Sequence, residues 1–174
     1  MTSTPLPRPD ESEYAPFYAG YVRLSGDDVT STLEQQRAEI EALRALAEPA
    51  ATHRYAEGKW SVKEVIGHIT DAERIFAYRM LRIARGDTTP LASFDEQMFV
   101  AGANFDALPM DTLIDSFAAA RASTLALIAE LDGGVWARTG TASGKPVSAR
   151  ALAHIIAGHA AHHIAILRDR YGIN

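Results

Sequence analysis

Apolar residues recur at intervals of three and four along most of this chain, and sustained alternation at intervals of two is weak throughout. Val29, Leu33, Gln36, Ile40 and Leu43 form one such stripe. It predicts a long helix that begins at Asp28 and is limited by Pro49. Ser61 followed by Glu64 is a capping-box signature, which opens a second helix that runs to about Arg85 before Gly86. Its stripe is Val65, Ala72, Ile75, Phe76 and Ile83. A third helix fits Asp111 to Leu131, with Leu113, Phe117, Ala120, Leu127 and Leu131 inward and Gly133-Gly134 ending it. The fourth runs from Ser148 to about Tyr171, and Trp136 to Val147 is the one stretch suited to a hairpin-like connector.

Between Asp87 and Pro109 lie turn residues and the short amphipathic piece SFDEQMFVAGANF, which fits one or two helical turns in a long connection. The expected fold is therefore all-α: a four-helix bundle with a long crossover connection between the second and third helices. Ahead of it, residues 1–26 carry three prolines in the first nine positions and read as an extended arm that packs on the bundle domain, 27–174. The arm's aromatics, Tyr14, Phe17, Tyr18 and Tyr21, either cover the bundle or a partner subunit, or line the mouth of a site.

Composition narrows the chemistry. A formal net charge of −5, with basic and acidic residues mixed, disfavours nucleic-acid binding, which needs clustered positive charge. The N-terminus lacks the pattern of a signal peptide, and no uninterrupted apolar run approaches the ~20 residues of a membrane span, so the expectation is a cytoplasmic protein without membrane contact. Zero cysteines exclude thiolate ligands and a cysteine nucleophile, which leaves nitrogen and oxygen donors for any metal.

Helical phase separates the six histidines. His159 and His163 stand one turn apart on the face that carries Leu152, Ile155, Ile156, Ile166 and Leu167, so both imidazoles point into the bundle. His162 falls at the edge of that stripe, His154 well off it, and His53 in a loop. His68 shares its face on the second helix with Val65, Ala72 and Ile75. Two histidines at i and i+4 with a third from a neighbouring helix make a set of three metal ligands, His68, His159 and His163, with a coordination position left open. The competing reading is three core histidines, each with its own hydrogen-bond partner, but the surrounding alanines and isoleucines offer none. The spacing H-A-A-H-H holds no glutamate, so this is not the H-E-x-x-H protease motif. Candidates for a catalytic acid or base are Asp71, three residues after His68, and Asp95 or Glu96 in the crossover, while Glu73 reads as solvated surface. Arg79, about three turns beyond His68 on the same face, is a candidate anion binder, and its neighbours Arg74, Arg82 and Arg85 complement the helix dipole.

The segments W-S-V-K-E-V-I-G-H, from Trp60 to His68, and G-H-A-A-H-H-I, from Gly158 to Ile164, resemble those of the DinB/YfiT-like superfamily of metal-dependent enzymes. The resemblance covers most of the chain from about Asp28 onward. It implies one histidine ligand on the second helix and an H-x-x-x-H pair on the last, which falls on His68, His159 and His163. It also implies a divalent metal, a small-molecule substrate and a homodimer, with relatives that include thiol-dependent transferases using bacillithiol or mycothiol and a maleylpyruvate isomerase. On the donor set, zinc or nickel comes first, and iron, manganese or copper are also admitted. The expected function is a metal-dependent hydrolase or thiol S-transferase in which the metal activates water or a low-molecular-weight thiol cosubstrate. The contrasting expectation is a non-catalytic binding or stress-response module with a structural metal.

Overall fold

In the computed structural model, which describes residues 6–173, four long helices make a bundle. The elements are α1 (Ala19–Leu24), α2 (Val29–Glu41), α3 (Glu48–Ala51), α4 (Val62–Ala84), α5 (Glu96–Ala103), α6 (Met110–Ala129), the strands β1 (Thr139–Ala142) and β2 (Lys145–Ser148), and α7 (Ala149–Tyr171). The bundle is α2, α4, α6 and α7. Within it α4 and α2 are diagonally opposed, and each packs between α6 and α7.

Local chemistry accounts for most of the boundaries. Ser61 accepts from the backbone N–H of Glu64 while the Glu64 carboxylate accepts from the Ser61 N–H, the reciprocal pair expected of the capping box. Asp28 and Ser148 cap α2 and α7 with their side chains, and Gly172 ends α7 in the left-handed conformation. The first long helix is shorter than its apolar stripe predicts. It tightens to a 3-10 turn at Ala42–Ala45, and Pro49 starts the next helix, α3, near its first position instead of ending the previous one.

The crossover from α4 to α6 passes through α5, and Leu91 bonds the hairpin by donating its N–H to Thr141 O at 2.8 Å and accepting from Ser143 N at 3.0 Å. The β1–β2 turn, Ser143-Gly144, has positive φ at both residues, the geometry that suits a tight antiparallel hairpin.

Residues 6–26 are not extended. They form two short 3-10 turns and α1, and α1 packs along the outer side of α7; residues 1–5 of the expected arm lie outside the described residues. As a result α7 has no solvated face through its first half, where every residue from Ala151 to Ala160 is buried. His154, which phase places off the ligand stripe, is therefore fully buried under the arm, with Nδ1 2.7 Å from Ser25 Oγ. Ser25 Oγ bridges this Nδ1 and Val22 O, to which it lies at 2.8 Å, and the backbone of Leu6 and Pro7 in the arm stands against the ring. Burial lowers its pKa.

Gly158 is where the arm touches down. A Cβ there would lie 1.8 Å from the carbonyl oxygen of Tyr21, a backbone atom that cannot swing aside. Helix propensity alone would make Gly158→Ala stabilising by about 1 kcal/mol. The collision reverses the sign, and the expected cost is about 2–3 kcal/mol. That corresponds to a fall in melting temperature of roughly 4–12 °C for a chain of this size. A thermal melt checks it, and an unchanged or raised melting temperature would show that α1 does not rest on α7.

Two apolar clusters fill the bundle, one around Leu33, Phe76, Met80, Leu152 and Ile155, the other around Ile40, Ile66, Ile69, Ile114 and Phe117. Between them lies a polar layer. Glu73, read from sequence as solvated, is buried there and takes a two-pronged ion pair from Arg121 of α6, itself fully buried. By length and composition α6 could cross a membrane, with a mean hydropathy of 1.3, yet Arg121 in its middle is committed to this internal pair.

Candidate metal centre

The same layer carries the histidines on its other side. His68 comes from α4, His159 and His163 from successive turns of α7, and one ring nitrogen from each lies within 4.8 Å of the other two. Nε2 of His68 is 3.0 Å from Nε2 of His159. Nitrogens at tetrahedral positions around zinc, each about 2.0–2.1 Å from the ion, stand roughly 3.3 Å apart, so the observed approach needs only a small adjustment to accept one. Aromatic rings hold the imidazoles in place: Trp60 packs 4.7 Å from His68 and 6.5 Å from His163, and His159 meets Tyr21 and Phe76 edge-on at 5.3 and 5.8 Å. Trp60 is fixed in turn by its carbonyl, which accepts from the Tyr171 hydroxyl at 2.5 Å.

Burial sets the protonation state. Desolvation, reinforced by the neighbouring imidazoles, pushes His68 down to about 4, His163 to about 3, and His159 well below its ordinary value. All three are neutral near pH 7 and have lone pairs to give to a cation. Three neutral nitrogen donors facing one point, with no carboxylate among them, fit a divalent ion. His162 stands outside the group, its ring packed against Tyr21 and His163 at 5.5 and 5.0 Å.

A cavity of about 520 Å³ opens onto His68 and His159. Its walls are Phe17, Tyr18 and Tyr21 from the arm with Phe76 and Phe94, and Arg79 and Ser143 stand among them. The arm's aromatics thus divide: Tyr14 is buried in the core, and the other three line the cavity. A smaller recess of about 210 Å³ reaches His163 past Trp60 and Tyr55. Glu96 and Gln97, in the first turn of α5, border both spaces. Glu96 Oε2 lies 3.9 Å from His68 Nε2, so of the three acidic candidates it is the one beside the histidines. Asp95 borders the cavity and caps α5 by accepting from Gln97 N and Met98 N. Asp71 is not brought to the site. It lines neither space and pairs instead with Arg74, its i+3 neighbour, at 3.0 Å. Phe94 and Ser143 carried no sequence signal, since the crossover and the hairpin bring them in.

Fold and site together define a helical bundle with a three-histidine, metal-capable centre. The chain belongs to the DinB superfamily, whose sequence profile matches residues 31–167. Its fold is similar to YfiT from Bacillus subtilis, described as a probable metal-dependent hydrolase with an unusual four-helix bundle topology. The two share 17% identity with a TM-score of 0.74, over 95% of this chain and 94% of that one. It is also similar to the mycothiol-dependent maleylpyruvate isomerase, at 16% identity and a TM-score of 0.63, over 83% of this chain and 59% of that one. No curated protein matches it in sequence.

Proposed function

We propose that this protein is a divalent-metal-dependent enzyme that activates a small thiol or water for transfer to, or hydrolysis of, a small electrophilic substrate. The observation that carries the reading is the convergence of three neutral imidazoles at the end of a cavity large enough for a metabolite. His68, His159 and His163 would hold the ion, with zinc or nickel first and iron, manganese or copper admitted by the donor set. When bound, such an ion supplies Lewis acidity and lowers the pKa of a coordinated thiol or water.

The rest is the work of side chains. The Glu96 carboxylate, 3.9 Å from His68 Nε2, is placed to take the proton that leaves the nucleophile. Burial, with the charge of Glu96 second, raises the Tyr21 pKa, so its hydroxyl keeps its proton at neutral pH and can donate to an oxygen of the substrate. Phe17, Tyr18, Phe76 and Phe94 give the larger cavity an apolar wall. Two spaces that meet at the histidines suit a reaction with two small reactants, which favours thiol transfer over hydrolysis. The fold likeness to a mycothiol-dependent enzyme supports the same preference.

The test is metal analysis of the purified protein, followed by turnover of a thiol with an electrophile before and after chelation. Stoichiometric metal, and activity that is lost to chelator and restored by the metal, are the expected results. A protein that holds no metal and shows no turnover after metal addition would sink the proposal. Chelation that lowers only the melting temperature, with no turnover in either state, would assign the ion a structural role.

A further inference from the structure

Two arginines are buried in this bundle, and they are treated differently. Arg121 is matched by the carboxylate of Glu73. Arg79, 2% exposed, has no carboxylate paired with it among the described residues. Its Nη2 donates to Ala92 O at 2.6 Å and to Ser143 Oγ at 3.1 Å, bonds that anchor the guanidinium between the crossover and the hairpin turn. Among the described residues Nε and Nη1 donate to no backbone or carboxylate oxygen. The ring centres of Phe94 and Phe76 lie 5.7 and 6.0 Å from its central carbon, and the group lines the same cavity as His68 and His159. The Tyr18 hydroxyl sits beside it: the guanidinium opposes the rise that burial imposes on the Tyr18 pKa. The acids of this cavity are occupied elsewhere, Asp95 in capping α5 and Glu96 beside His68.

A buried cation without a counter-charge is costly, and a guanidinium with one nitrogen anchored and free N–H groups toward a cavity is built to receive a planar oxyanion. We propose that Arg79 is the specificity-determining residue of the site, and that the substrate is a small carboxylate with a flat apolar body. Its carboxylate meets Arg79 and Tyr18, its body lies against the apolar wall that Phe76 and Phe94 form edge to face, and its reactive end reaches toward the histidines. Helical side chains lean toward the helix N-terminus, so Arg79, about three turns beyond His68, reaches back along the cavity toward it. This inference rests on the enzyme reading above for what happens at the far end, but the carboxylate subsite is testable without it.

The probes are benzoate and its neutral analogue benzyl alcohol, titrated calorimetrically into metal-loaded and chelator-treated protein. Benzoate is expected to bind both forms at least tenfold more tightly than benzyl alcohol, because a charge-assisted two-pronged contact is lost in the alcohol. Arg79→Gln is expected to weaken benzoate about tenfold or more in both forms, with metal content unchanged, and Arg79→Lys to recover part of the loss. Thermal melts of both variants identify any that fail to fold, and Arg79→Lys keeps the test alive if Arg79→Gln is one of them. Benzoate binding that disappears with the metal, that ignores Arg79→Gln, or that is absent altogether overturns the proposal. A wild type that takes up no metal on loading, yet binds benzoate through Arg79, would overturn the enzyme reading and leave the subsite standing.

Discussion

Replacing His159 with alanine is expected to strip the purified protein of stoichiometric metal, weakening affinity by about a hundredfold or more while leaving a folded bundle. The three imidazoles form a closed triangle, with ring centres 4.6 to 4.9 Å apart, and His159 is one corner of it. Burial, with the neighbouring imidazoles, holds its pKa well below the ordinary value, so it is a neutral donor at pH 7. Removing it leaves two imidazoles and a space beside the rings of Phe76 and Tyr21. His162→Ala is the matched control. That residue shares the H-A-A-H-H segment but lies outside the converging group, so metal content should stay at the wild-type level. Competition with a chromophoric chelator measures both. Equal affinity in His159→Ala and wild type would remove the three-histidine centre as the metal site, and with it the proposed chemistry.

The helices and the three histidines were legible in the sequence for one reason. A stripe at intervals of three and four reports which way a side chain points, and His68, His159 and His163 each sit within such a stripe. The same rule fails where a helix is covered on every side. His154 is off the stripe of α7, yet the arm lies over that face and buries it, and the close approach that allows this depends on Gly158, one position before His159. Charge misleads in the same way: Glu73 and Arg121 look like surface residues until α4 and α6 are brought together, and neither carries a local mark of its partner. The cavity was the least legible part. Arg79 stood out by its phase, but Ala92, Phe94 and Ser143, which anchor and flank it, come from the crossover and the hairpin turn, whose positions only the tertiary structure fixes.

The buried ion pair is where the largest loss of stability is expected. Arg121 gives Nε and Nη2 to the Glu73 carboxylate at 2.8 Å each, and Nη1 to Leu33 O and Gln36 Oε1 at 2.6 and 3.1 Å. Gln36 passes the chain on by donating Nε2 to Ala157 O at 2.7 Å. One side chain thus ties α2, α4 and α6 together and, through Gln36, α7, in the layer between the two apolar clusters. Arg121→Met removes the cation and leaves a carboxylate 2% exposed with no partner, at an expected cost of about 3–5 kcal/mol. For a chain of this length that is a fall of roughly 6–20 °C in melting temperature. The double variant Glu73→Met with Arg121→Met removes both charges and is expected to recover most of the loss, because apolar groups of similar volume avoid the desolvation penalty altogether. Recovery would show that the single variant suffers from a stranded charge more than from a lost bond. If the pair serves chiefly to fix how α7 is set against α2, the double variant should melt near wild type yet bind metal more weakly, since Ala157, whose carbonyl the network holds, lies half a turn before His159. Wild-type stability in Arg121→Met would mean that water reaches Glu73 and that the layer between the clusters is not dry.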